Sequence, residues 1–180
     1  LKPGGIGIYI TSASTMDNAA SIAFRNWVVT EGDADFIGGV RLPNNAFAEN
    51  AGTEVTTDIL IFRKRLNDRV STNSEGFRNT VVIDKAEKQY GGMENIEVNE
   101  YYSRKPENML GKMMLAHEAG SGGLYSGDRQ TLIANKGQDT VKELADRFSK
   151  MPKNIMETAE SKPPAEVIAA SEADKNGTLV

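Results

Sequence analysis

Residues 35–65, DFIGGVRLPNNAFAENAGTEVTTDILIFRKR, decide how the rest of the chain is placed. Residues 36–42 form an apolar run ended by Pro43, and residues 55–62 form a second one ended by Arg63, Lys64 and Arg65. Short apolar runs rich in β-branched residues and bounded by turn formers read as strands. The polar loop between them carries one large aromatic, Phe47. A loop of Asn, Ala, Glu and Gly has no folding need for a lone phenyl ring, so Phe47 either tucks back onto the sheet or is presented to a ligand. No crossover helix fits within the loop, which makes the two strands an antiparallel pair.

Upstream, Lys2-Pro3-Gly4-Gly5 is a tight turn. Residues 6–11 read as a short buried strand, in which Gly7 implies close packing against a neighbour. Residues 12–17 are rich in hydroxyls and end in good N-cap residues, after which Ala19, Ile22, Ala23, Asn26 and Trp27 recur at helical spacing. The pattern predicts a helix over 19–29, stopped at Glu31-Gly32-Asp33 with the glycine as its C-terminal cap. Strand, helix, strand, loop, strand is the order of the last part of a doubly wound α/β sheet, where ligands sit outside the carboxyl ends of the strands. Residues 11–15 and the loop 43–53 then share the side where chemistry would occur. The chain opens on Leu1 and a turn leading straight into a strand, and reads as a fragment of a larger protein. One edge of such a sheet is expected to be exposed or capped by a crude substitute, so that the isolated piece is marginally stable or self-associates through that edge.

Beyond Arg65 the character changes. Residues 66–92 are polar and read as a variable excursion, interrupted only by Phe77 and Val81-Val82-Ile83. Residues 96–102 read as a turn of structure leading to Arg104. Met113, Met114 and Leu115 predict a strand, Gly120 to Gly123 a turn, and residues 125–134 a hairpin partner. Residues 139–151 predict an amphipathic helix with Val141, Leu144, Ala145 and Phe148 on one face and Asp139 or Thr140 at its start. From Pro152 the chain is rich in Lys, Glu, Pro, Ala and Ser and reads as a flexible tail. The chain therefore divides into residues 1–65, an α+β extension with a variable insertion at 66–151, and a tail at 152–180.

Composition narrows the function classes. A chain of 180 residues, 39% hydrophobic and 26% charged, suits one globular unit with a real core. No apolar run approaches the roughly 20 residues that span a bilayer, so a cytoplasmic setting without a membrane partner is expected. The absence of cysteine rules out thiolate chemistry and the usual structural zinc, and His117, the only histidine, builds neither a metal site nor a Ser-His-Asp triad. A net charge of -4 argues against non-specific coating of nucleic acid while leaving room for a local basic groove. Neither Gly4-Gly5 nor Gly120 to Gly123 has the pattern of a phosphate loop. The Met109, Met113 and Met114 group reads as core filling, and Asp33 and Asp35 read as solvated. Thr53, Thr56, Thr57 and Asp58 crowd hydroxyls and a carboxylate near the ligand side. Asp58 in an apolar strand needs a partner if buried, with Arg63, Arg65 or a loop amide as the candidates.

The stretch LKPGGIGIYITSAST, followed by a helix and then FIGGVRLPNNAFAENAGTEVTTDILIFRKR, resembles the closing portion of the N6-adenine DNA methyltransferases found in very large methylase and helicase proteins of phages and conjugative elements. The later NEYYSRKPENMLGKM looks like the segment that follows the methylase core in those proteins. The resemblance covers residues 1–65 closely and 98–150 more loosely. It implies the C-terminal part of a class I, Rossmann-like methyltransferase sheet, with S-adenosylmethionine as methyl donor, DNA as partner and a flipped adenine as acceptor. It also implies that the remainder of the methyltransferase domain and a helicase domain lie in the same protein. Phe47 stands where related enzymes place an aromatic on the flipped base, with Asn44, Asn45 and Thr57 shaping that loop or contacting the nucleotide. The glycine-rich cofactor loop and the Asn-Pro-Pro-Tyr/Phe catalytic motif of the family are not in these 180 residues, so no catalytic residue is assigned and the piece is expected to be inactive alone. A non-catalytic DNA- or protein-binding remnant, or a connector towards a helicase, is the alternative.

Overall fold

The computed structural model describes residues 1–52, 54–66, 74, 76–118 and 127–156. It is a mixed α/β structure with two sheets. In the first, β1 (Ile6–Ser12) is followed by the short helix α1 (Ser14–Asp17), a single 3-10 turn (Ala19–Ser21), α2 (Ile22–Val29), β2 (Ala34–Leu42), the one-turn α3 (Ala48–Ala51) and β3 (Thr57–Lys64). The second part contains β4 (Thr80–Lys88), β5 (Met93–Asn99), α4 (Glu100–Arg104), β6 (Lys112–Glu118), β7 (Gly127–Ile133) and α5 (Thr140–Lys150).

The first sheet has the order β1-β3-β2. β3 runs antiparallel to both neighbours, so β1 and β2 are parallel to each other and α2 links them. The three strands read from the sequence lie side by side, as expected. β3 is central because it is apolar on both faces: Leu60 and Phe62 face one core with Phe36, Phe77 and Tyr102, and Ile59 faces another with Val40, Leu42 and Leu110. Phe36 stacks on Phe77 with ring centroids 4.7 Å apart, which ties residue 77, in the stretch read as an excursion, into this core.

The helix over 19–29 forms, but its buried face differs from the one the spacing suggests. Ile22, Phe24 and Trp27 are exposed, whereas Arg25 and Val29 are buried. Arg25 turns inward because carbonyls await it: Nε donates to Arg78 O (2.9 Å), and Nη1 donates to Thr15 O (3.1 Å) and Asn18 O (3.0 Å). The helix stop also differs in detail. Asp33 takes the left-handed conformation (φ 46°), while Gly32 is required because a Cβ there would lie 2.6 Å from Val28 O.

The segment read as a variable excursion contains β4, and β5 occupies residues read as a turn. Their hairpin turns at Gly91 (φ 92°) and Gly92 (φ 94°), a Gly-Gly signal that the sequence did carry. The strands were hard to see because polar residues outnumber apolar ones; Ile96 and Val98 of β5 supply the inner face with Ala86 and Leu115. The second sheet has the order β5-β4-β6-β7, with β4 and β6 parallel and the other pairs antiparallel. It curls until β7 faces β5, where the Gln130 amide lies against the Glu97 backbone; with its oxygen and nitrogen exchanged it would donate to Glu97 O (2.8 Å) and accept from Glu97 N (3.2 Å). β6 and β7 form the expected hairpin, whose connection, including Gly120 to Gly123, lies outside the described residues.

α5 begins where expected, with the Asp139 side chain accepting from Lys142 N (3.0 Å). Leu144 and Phe148 pack beneath β2 and β3, but Val141 is exposed. Of the tail, Ile155 is held through its carbonyl by Arg63 Nη1 (3.3 Å), and residues 157–180 lie outside the described part. No helix among the described residues is long and apolar enough to cross a membrane.

Phe77→Ala is expected to lower stability by about 3–5 kcal/mol in urea denaturation, because it empties a fully buried stacked site. Val82→Ala, at an exposed position of β4, should stay within about 0.5 kcal/mol.

Candidate functional site

The carboxyl end of β1 meets the loop after β2 and the open side of the second sheet in a cleft of about 890 Å³. Ser12, Ser14, Asn18 and Asn44 line one wall, and Gln130 and Thr131 of β7 stand on the other. The cleft lies at the carboxyl ends of the parallel strands β1 and β2.

The loop is fixed to the second sheet rather than left to itself. Asn44 N donates to Leu132 O (2.8 Å), and Leu132 N donates to Thr56 Oγ1 (2.8 Å), so the backbone of β7 is gripped at both ends of the loop. Thr56 Oγ1 also lies 3.2 Å from Thr131 Oγ1. Within the loop, Ala46 N donates to Pro43 O (3.0 Å), and Gly52 closes α3 in the left-handed conformation (φ 61°).

The four residues singled out from the sequence are spread over this loop. Phe47 is half-buried and packs on the cluster of Val40, Leu42, Ile59 and Leu110, so its ring anchors the loop to the sheet. Asn44 lines the cleft, whereas Asn45 is exposed and uses its carbonyl to hold Ala48 N (3.2 Å). Thr57 is half-buried beside Leu42, and its Oγ1 is buried without a hydrogen-bond partner among the described residues. The structure brings Asn44 to the cleft and keeps the Phe47 ring on the apolar side of the loop. Thr53 lies outside the described residues, as does the side chain of His117. Of the three methionines, Met109 and Met113 pack against cores as expected, and Met114 lines the cleft instead. No group of residues among those described could hold a metal ion.

Behind the cleft lies a buried charge network that the sequence did not reveal. Arg41, fully buried on β2, donates Nε to Asp58 Oδ1 (2.8 Å) and Nη2 to Asp58 Oδ2 (2.9 Å). It also donates Nη1 to Asp17 Oδ2 (2.5 Å) and Nη2 to Asp17 Oδ1 (2.9 Å). Tyr102 Oη donates to Asp58 Oδ1 (2.9 Å), and its ring lies 4.3 Å from the guanidinium carbon. Asp17 further accepts from Asn99 N (2.9 Å), tying the end of β5 to α1. The partner of Asp58 is thus Arg41, not Arg63 or Arg65. Those two hold Asp35, at 2.9 and 3.3 Å, so Asp35 is buried and paired rather than solvated.

Electrostatics follow from two carboxylates sharing one guanidinium. Burial works against the Arg41 charge, but Asp58 and Asp17 outweigh it and hold Arg41 well above its ordinary pKa. Burial raises the Asp17 carboxyl; Arg41 pulls it back and Asp58 pushes it up again. Burial, with Asp58 adding to it, holds the Tyr102 phenol well above its usual range. The phenol therefore stays protonated and serves as a fixed donor. Asp17, at 10% side-chain exposure, is the member of this cluster that also lines the cleft.

No protein-family model, curated protein or solved structure matches the chain.

Arg41→Ala is expected to cost about 3–5 kcal/mol in urea denaturation, because it leaves a buried carboxylate uncompensated. The pH dependence has a definite sign. Folding raises the Asp17 pKa above its unfolded value, so its contribution is fully present below that value and is lost as pH rises through the folded one. The stability of the native chain relative to that of Asp17→Asn should accordingly fall as the pH is raised from about 3 to about 7, and a rise would contradict a burial-raised Asp17.

Proposed function

We propose that the chain is the closing part of an N6-adenine DNA methyltransferase, one that moves a methyl group from S-adenosylmethionine to an adenine flipped out of DNA. The observation that carries this reading is the strand order. β1, α2, β2, a loop and β3 follow one another in the order that the resemblance implies for the closing part of such a sheet, with β3 antiparallel to β2. The stretches LKPGGIGIYITSAST and LPNNAF support it, as does the cleft at the carboxyl end of β1.

The described residues do not fit the cofactor. The turn from β1 into α1 is Ser12-Ala13, without glycine, and Ala13 N already donates to Thr56 O (3.0 Å). On this reading S-adenosylmethionine binds to a segment outside these 180 residues, as does the catalytic motif, and a helicase domain in the same polypeptide belongs to the same proposal. What this chain contributes is the substrate side: Asn44 at the cleft, the loop pinned by Thr56 to β7, and Phe47. A flipped base would cover the exposed part of the Phe47 ring, with Asn45 and Thr57 shaping the loop beneath it.

The test uses the longer polypeptide that contains this chain, supplied with labelled S-adenosylmethionine and adenine-containing DNA. Label is expected on adenine N6, while the 180-residue chain alone is not photo-crosslinked by the cofactor. Absence of transfer to DNA under conditions where the longer polypeptide is crosslinked by the cofactor would reject the reading. Within that polypeptide, Phe47→Ala should weaken DNA binding or turnover by about 5- to 150-fold if the exposed part of the ring stacks on the base; because the ring also anchors the loop to Val40, Leu42, Ile59 and Leu110, thermal stability should fall with it, and a loss of stability with no loss of DNA binding would remove Phe47 from the site.

A further inference from the structure

The walls of the cleft come from separate parts of the chain: the end of β1 with Ser12 and Ser14, the loop after β2 with Asn44, and β7 with Gln130 and Thr131. Thr56, the residue before β3, ties them together. Its carbonyl accepts from Ala13 N (3.0 Å) at the end of β1. Its Oγ1 accepts from Leu132 N (2.8 Å), 76 residues away in the chain, and lies 3.2 Å from Thr131 Oγ1. At the other end of the loop, Asn44 N donates to Leu132 O (2.8 Å), so β7 is held at both ends of the loop through one residue.

The remaining bonds of the loop act locally. Ala46 N on Pro43 O, Ala48 N on Asn45 O and Gly52 N on Ala48 O set its turns, and Phe47 holds its apolar side, but these contacts do not fix its distance from β7. The bond from Asn44 N is made by backbone and does not depend on the side chain at that position. The bond at Thr56 does. Thr56 is 6% exposed and Leu132 is fully buried, so water has no access to replace the hydroxyl if it is removed.

We propose that Thr56 is a positioning residue of this cleft, whose hydroxyl sets the separation of the Asn44 wall from the β7 wall and thereby the affinity for a substrate held between them. Thr56 acts through its neighbours and not by contact, because its oxygen is already engaged by Leu132 N and the Thr131 hydroxyl. The group that it positions is available. The Asn44 side-chain amide lines the cleft and makes no hydrogen bond among the described residues. Such an amide pairs with the N6 and N7 edge of adenine. The identity of the substrate rests on the methyltransferase reading; the coupling of the loop to β7 does not. Valine has the shape of threonine without the acceptor. In Thr56→Val the buried Leu132 N–H loses its partner, β7 is released from the β3 end of the loop, and only the Asn44 end still holds it.

The test compares Thr56→Val with Thr56→Ser, which keeps the hydroxyl, in two arms. In the longer polypeptide that contains this chain, Thr56→Val should raise the KM for adenine-containing DNA about 10-fold, with kcat within about 2-fold and the KM for S-adenosylmethionine unchanged. Thr56→Ser should return the DNA KM to within about 3-fold of the native value. In the 180-residue chain, hydrogen exchange at the Leu132 and Asn44 amides should quicken in Thr56→Val by about 10-fold more than at Leu60 and Phe62 of the central strand, which report global stability. Native methyl transfer with an unchanged DNA KM in Thr56→Val overturns the proposal, as does a fall in kcat alone, the mark of a smaller folded fraction. A Thr56→Ser variant no better than Thr56→Val overturns it too. Exchange that quickens equally at all four amides removes the coupling on which it stands. Absence of transfer by the native polypeptide rejects the methyltransferase reading instead, and the exchange arm then decides the loop coupling by itself.

Discussion

The fold depends on one buried guanidinium. Arg41 sits next to the end of β2 with no access to water, and its hydrogen bonds go to Asp58 on the neighbouring strand and Asp17 on the helix that follows β1. An isolated buried charge would be prohibitive, so the three residues can be buried only together. That requirement sets the register of β2 against β3 and the position of α1. Through Asn99 N on Asp17, and Tyr102 on Asp58, it also sets where the second part of the chain docks. Asn99 completes the joint: its side-chain amide donates to Met16 O (3.0 Å) and Phe77 O (2.9 Å) while its oxygen starts α4.

Two tyrosines from α4 then reach the sheet at a place made for them. Gly39 lets Tyr102 approach, since a Cβ there would lie 3.2 Å from its hydroxyl. The Tyr101 hydroxyl donates to Gly39 O (3.2 Å) and accepts from Gly39 N (3.1 Å) just past the irregularity at Phe36 and Gly38. The β2 edge is therefore closed by side chains of the second part. The β1 edge has no such cover among the described residues. The cleft lies at the carboxyl end of that strand.

Position within the cleft follows from the same coupling. The loop after β2 is held by its own turns, by Phe47 and, through Asn44 and Thr56, by the Leu132 backbone of β7, so the cleft is shaped jointly by both sheets. Phe47 acts as a peg on the apolar side, and the polar wall is left to Ser12, Asn18, Asn44 and Gln130. On the methyltransferase reading, the second part is thus the support of the substrate loop as well as an appendage to the sheet.

The sequence by itself determined the local elements whose signals are short-range. Short apolar runs with clear stops pointed to β1, β2, β3 and β6, and the cap at Asp139 to α5, because these patterns record burial by immediate neighbours. It also determined that Asp58 needed a partner, since a carboxylate in an apolar run admits few alternatives. What only the tertiary structure decided were relations over long chain separations. Which arginine serves Asp58, why α2 buries Arg25 rather than Trp27, and that Phe77 belongs to the first core all depend on groups brought together from 17 to more than 50 residues away. β4 and β5 were obscured because their inner face is supplied by few side chains, and the curl of their sheet arises from contacts with β6 and β7. A one-dimensional pattern carries the demand for a partner; the choice of partner is made by packing.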